Sequence, residues 1–251
     1  MKTEGIMVKS WAAWAPGIES HEQWALWARG LLEPQTEGVP DVKFFPAMMR
    51  RRLSRLGKMA ASVAHRCCGE VAATERRFVF ASRYGEQQRT QKILSGLSGG
   101  EDVSPTAFSL SVHNAIAGLL SIASKDEAAS VSIAAGSNTF SAAWLEAAGL
   151  LMSPREQCNE VALVYYDEPL TDEYAEFNDD ELSFPFALAL LLSMPANPEE
   201  ALSFEGVYLE TVDSGGMVNT ETSQPLDFMR FYLNERESQG AGYGSRWVWK
   251  R

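Results

Sequence analysis

Residues 104–118, SPTAFSLSVHNAIAG, place His113 and Asn114 directly after a run that alternates apolar and hydroxyl side chains. Such a segment is an active-site loop, a strand-to-helix junction that only packs, or the relic of a site. The other two histidines, His21 and His65, share no metal-ligand spacing with His113, and His65 falls on the surface of a predicted helix. The three cysteines, Cys67, Cys68 and Cys158, form no CxxC pair, so neither zinc nor a disulfide framework is expected. Cys67 and Cys68 are neighbours on a predicted helix and point in different directions, which favours packing over a bridge. LSGGE at 97–101 matches an ATPase signature, but no GxxxxGK[ST] loop accompanies it to cradle phosphates. It is read as a Gly-rich loop, and no metal or cofactor is expected.

The elements around these residues alternate. Residues 5–17, 77–85, 129–137, 160–168 and 202–212 read as strands, and 245–251 as an edge strand. Helices are predicted over 20–32, capped by Ser20, and over 86–97, 139–152 and 225–237. Met49, Leu53, Leu56, Ala60, Val63 and Cys67 recur at steps of four and three, which predicts one long helix from residue 49. FPFALALLLS (184–193) is ambiguous, because Ala and Leu favour helix while the run is short and contains a proline near its start. The alternation predicts an α/β fold with a layered sheet.

The bulk composition, 45% hydrophobic and 22% charged, is that of a soluble globular protein. No apolar run is long enough to span a bilayer, and Glu4 and Lys9 interrupt the N-terminal segment, so no secretory signal is expected and the cytoplasm is the default location. The net charge of −11 argues against nucleic acid. The charge is uneven: residues 43–58 hold Lys43, Arg50, Arg51, Arg52, Arg55 and Lys58 without an acid, and 167–181 hold eight acids without a base. Both read first as solvated surface, but the basic run could also receive an acidic partner.

Taken in order, SPTAFSLSVHNAIAG, then ASVSIAAGSNTFSAAWLEAAG, then EVALVYYDE resemble the N-terminal half of β-ketoacyl synthases of the thiolase fold. RRRLSRLGKMAASVA and FVFASRYGE are similar to the family's early helix and the strand and Gly turn after it. The resemblance runs over roughly residues 5–212, and it makes 184–193 an antiparallel strand. It implies a truncated thiolase-like fold with a mixed central sheet, one domain over 1–251 that lacks most of the family's C-terminal half.

The departures carry the functional expectation. The family's nucleophile is a cysteine at a strand-to-helix turn, activated by the helix N-terminus and two downstream histidines. The matching position is Ser137, or Gly136 with one gap, and no histidine follows His113. A serine without a base is a poor nucleophile. The pattern is closest to the chain-length factors of aryl polyene biosynthesis, which implies a non-catalytic subunit paired with an intact ketosynthase. In such pairs the strand before the nucleophile turn joins the two sheets, which puts Val131, Ile133 and Gly136 near the two-fold axis. Phe108, Phe140, His113 and Asn114 become candidates for the tunnel or interface, and Arg50, Arg51, Arg52 and Arg55 for docking an acyl carrier protein. His113 is expected to pack rather than catalyse. Two alternatives stand: a serine acyltransferase or hydrolase using Ser137 or Ser141, and a homodimeric acyl-binding module. The last ranks lowest because so short a chain is expected to leave one side of its sheet open.

Overall fold

Strands β4 (Glu160–Asp167) and β5 (Phe186–Ser193) are buried along almost their whole length, which is why their sequences read as continuous apolar runs. They pair antiparallel, with Leu163 opposite Leu190. The computed structural model describes residues 2–69, 76–153, 158–177, 183–208, 223–234, 238–241 and 245–250. The remaining strands are β1 (Lys2–Trp14), β2 (Arg76–Ala81), β3 (Ser130–Ile133), β6 (Leu202–Tyr208), β7 (Ser238–Ala241) and β8 (Ser245–Lys250). They form one eight-stranded sheet in the order β3-β2-β4-β5-β1-β6-β8-β7. β3, β2 and β4 run parallel and the other pairs antiparallel, so the sheet is mixed.

Helices cover both faces. Helices α3 (Arg55–Cys68) and α6 (Ala115–Ser124) pack on one face against Phe78, Phe80, Val164 and Ala189. On the other, α1 (His21–Ala28), α7 (Thr139–Met152) and α8 (Gln224–Leu233) pack against Val79, Leu163, Leu190 and Leu192. The two-residue alternation along β2, β4 and β5 divides their side chains between these cores. Among the described residues the other α-helices are short or peripheral: α2 (Ala47–Arg50), α4 (Gln87–Ser98) and α5 (Pro105–Ser109).

The second face is closed by aromatics. Trp24, Trp144, Phe228, Phe231 and Trp249 are fully buried there, and the Phe228 ring lies 5.3 Å from Trp144 and 5.7 Å from Trp249. The expectation of an open sheet side is therefore corrected: α1, α7 and α8 cover that face with side chains of this chain.

Two element readings change. The long helix expected from residue 49 is broken, because Ser54 is extended and its Oγ accepts the Gly57 N–H at 2.9 Å, which starts a new helix. The stripe survives across the break, but Met49 sits on α2 and Leu56 to Cys67 on α3. Strand β8 is not an edge, since β7 pairs outside it with Gln239 opposite Trp249. Residues 184–193 take the strand form over Phe186–Ser193, against local propensity. Parts of the predicted segments, 178–181, 209–212, 235–237 and Arg251, lie outside the described residues. Among the described residues no helix is long and apolar enough to cross a membrane.

Candidate functional site

The parallel strands β3, β2 and β4 end side by side at Ile133, Ala81 and Asp167, and the loops beyond them form the site. Loops at the carboxyl ends of parallel strands are where α/β folds place their chemistry. From β3 the chain turns through Ala134 to Asn138 into α7. Gly136 sits at the apex with φ +57°, a left-handed conformation that glycine adopts without strain. Thr139 locks the turn: its Oγ1 accepts from Ala135 N at 2.9 Å and donates to Gly136 O at 2.7 Å. Gln224 of α8 braces it from behind, its Nε2 donating to Asn138 Oδ1 at 3.0 Å. The scaffold of a nucleophile elbow is present, and its apex is an exposed glycine.

The serines beside the apex are not activated. Ser141 Oγ is buried and donates to Gln224 Oε1 at 2.6 Å, an amide oxygen that cannot take its proton. Ser137 Oγ has no hydrogen-bond partner among the described residues. His113 Nε2 donates instead to the Ser82 carbonyl at 2.8 Å. Its ring rests on Gly85, where a Cβ would come within 2.9 Å of His113 Cδ2 and where φ is +57°. His113 therefore joins the segment before α6 to the loop after β2.

That loop is held by Asp167, which is 1% exposed at the end of β4. Its carboxylate accepts from Ser82 Oγ at 2.7 Å and from Arg83 N at 2.9 Å, and Gly85 N donates back to Ser82 Oγ at 2.7 Å. Burial pushes the Asp167 carboxyl above the usual carboxylate range despite these bonds. Asp167 was grouped by sequence with solvated acids, and the structure corrects this. Its position at the end of an apolar strand was the available signal. Glu86 is a second buried acid that the sequence did not single out. It accepts from Ser54 Oγ at 2.7 Å and pairs with Arg89 at 3.0 Å, tying the start of α3 to the start of α4. Burial raises its carboxyl as well.

The remaining candidates separate. Phe108 on α5 is 59% exposed, and Asn114, at the start of α6, is exposed. Val131 and Ile133 are half-buried on β3, the last strand of the sheet, whose outer backbone edge is unpaired among the described residues. Phe140 is 1% exposed, with its ring 5.4 Å from Phe228, so it belongs to the aromatic core and is corrected as a tunnel candidate. Of the basic run, Arg55 is engaged by Glu168 at 2.8 Å, so the basic and acidic segments meet rather than forming separate solvated faces. Arg50 and Arg51 line an open groove of about 520 Å³ with Lys43, Lys58 and Asp41. Arg52 lies outside that lining, and its carbonyl accepts from Arg89 at 2.6 Å.

The sheet is mixed, and a glycine-apexed turn joins β3 to the buried α7. The model of the β-ketoacyl synthase N-terminal domain matches residues 24–250. The chain belongs to that family. Among solved structures it is similar to a chain of the ketosynthase (ApeO) in complex with its chain length factor (ApeC) from Xenorhabdus doucetiae. The identity is 27% over 98% of this chain and 99% of that one, with a TM-score of 0.82. It is also similar in fold to the ishigamide ketosynthase/chain length factor, with 13% identity over 76% of this chain and 62% of that one and a TM-score of 0.62. A β-ketoacyl synthase from Burkholderia phymatum STM815 shares 10% identity over 93% of this chain and 71% of its own, with a TM-score of 0.61. No curated protein matches this chain by sequence. The fold is the α/β one of the ketosynthase N-terminal half with a mixed central sheet, as the resemblance implied.

Proposed function

We propose that this chain is a chain-length-factor subunit that docks on a catalytic ketosynthase and shapes its acyl tunnel without performing the condensation itself. The observation that carries this reading is the junction of β3 and α7. A free edge strand runs into an intact elbow whose apex is Gly136, followed by an unactivated Ser137. An edge of this kind is a template for pairing with another sheet. The likeness to a chain of almost equal length from a ketosynthase–chain length factor complex supports the same assignment.

In the proposed pair, Val131 and Ile133 lie at the sheet junction and exposed Phe108 covers the end of the partner's tunnel. An acyl carrier protein, which is acidic, meets the groove of Lys43, Arg50, Arg51 and Lys58. The single domain acts in the cytoplasm in type II polyketide or fatty-acid-like synthesis of the aryl polyene kind. An interface of this type is expected to bury on the order of 2,000 Å² or more. Co-expression with a ketosynthase that has a complete Cys-His-His site tests it: a one-to-one complex is expected. A stable chain that turns over thioesters without a partner would contradict it.

A further inference from the structure

Between α3, α6 and the sheet lies a cavity of about 40 Å³ that the site above does not use. Small residues open it: Ala61 and Ala64 from α3 and Ala117 from α6. Phe78 and Phe80 of β2 line it as well, and their rings are stacked 5.6 Å apart. Three of its polar neighbours are already engaged. Ser121 Oγ donates to Asp126 O at 2.6 Å and Ser124 Oγ to Leu120 O at 2.8 Å, while the Asp126 carboxylate accepts from Ala128 N at 2.8 Å. The wall therefore offers hydrocarbon and aromatic surface, which suits an apolar guest. A water-sized group occupies about 10–15 Å³, so the cavity holds about three such groups, the last few carbons of a chain.

The rim points to the source of that guest. Ser130, the first residue of β3, is exposed and borders the cavity, as does Phe44, which is 43% exposed and stacked on His65 at 3.8 Å. A two-fold axis that joins an edge strand to its counterpart sets the two strands antiparallel. The far end of the partner's strand, where its nucleophile turn begins, then lies beside Ser130. A four-residue strand is about 13 Å long and its neighbour about 4.8 Å away, so the turn and the rim come within the reach of a growing chain.

We propose that this cavity receives the apolar, unsaturated end of the acyl chain carried on the partner's nucleophile. The inference rests on the subunit reading above and assigns it a ligand site. The test uses α-parinaric acid, a fluorescent conjugated tetraene, titrated into the purified complex. Ala117→Leu fills the cavity from a buried position. It is expected to weaken probe binding at least tenfold and to shift products to shorter chains, with assembly and melting unchanged. Unchanged probe affinity and product length in an assembled Ala117→Leu complex would overturn the proposal. If that variant fails to assemble, Phe44→Trp at the exposed rim replaces it, with the same loss expected and the same unchanged result overturning. If the wild-type chains do not associate, the subunit reading falls. The titration on the full chain alone then decides the cavity, by whether Ala117→Leu blocks the probe.

Discussion

Replacing Phe228 tests whether this short chain closes its own second core. The ring is fully buried and lies 5.4 Å from Phe140, 5.3 Å from Trp144 and 5.7 Å from Trp249. A Phe→Ala change at such a position removes transfer energy and leaves a cavity, for a cost of about 3–5 kcal/mol. At roughly 2–4 °C per kcal/mol for a chain of this size, Tm is expected to fall by about 6–20 °C. Phe228→Leu keeps most of the volume but loses these three ring pairs, each worth about 0.5–1.5 kcal/mol, so a loss of about 1.5–4.5 kcal/mol is expected. Urea and thermal melts of both variants measure this. Phe228 lies on α8, which packs on β7 and also braces the turn after β3 through Gln224, so partner binding is expected to weaken along with stability. A Phe228→Ala protein as stable as wild type would refute the packed aromatic closure.

Other perturbations follow from the site and the charges around it. Ser137→Ala in the assembled complex should leave turnover within about twofold, measured by carrier-bound product, whereas a hundredfold loss would revive the serine mechanism. Phe108→Leu should leave the complex intact and lengthen its products by mass spectrometry, and an unchanged distribution removes Phe108 from the tunnel wall. Glu160 accepts from Lys9 and is paired with Arg76 at 3.0 Å, and these cations, Lys9 first, hold its carboxyl below the ordinary value of 4.5. A carboxyl lowered by folding contributes stability above its unfolded pKa and loses it as pH falls through the folded one. Denaturant melts from pH 6 to 3 should therefore show a shallower acid loss for Glu160→Gln than for wild type, and identical slopes would contradict the pairing.

The parts of the fold that a local pattern dictates were legible in the sequence. Strand β4 announces itself as an apolar run and Ser20 as the cap of α1, whereas β5 is ambiguous from its own residues and reads as a strand only through the resemblance. The break before α3 was hidden because the stripe from Met49 to Cys67 continues across it, while the Ser54 oxygen decides it through one N–H. Strand β7, SQGA, has almost no strand propensity and forms because β8 offers it an edge. The site divides in the same way. The elbow, its missing cysteine and the joining strand β3 followed from the resemblance, while the edge expected at 245–251 is covered by β7. Whether Phe140 faced a tunnel or a core depended on α8 and β8, more than eighty residues downstream. The role of Asp167 depended on three donors in a loop equally far upstream.

The central claim is that the chemistry belongs to a partner while this chain shapes its outcome. Intact-mass measurement of the co-purified complex during turnover tests this directly, because a thioester adds a discrete mass to the chain that carries it. A one-to-one complex is expected, with the acyl adduct on the ketosynthase alone and this chain at its unmodified mass throughout. An acyl adduct on this chain that forms and discharges at the rate of turnover would contradict the account.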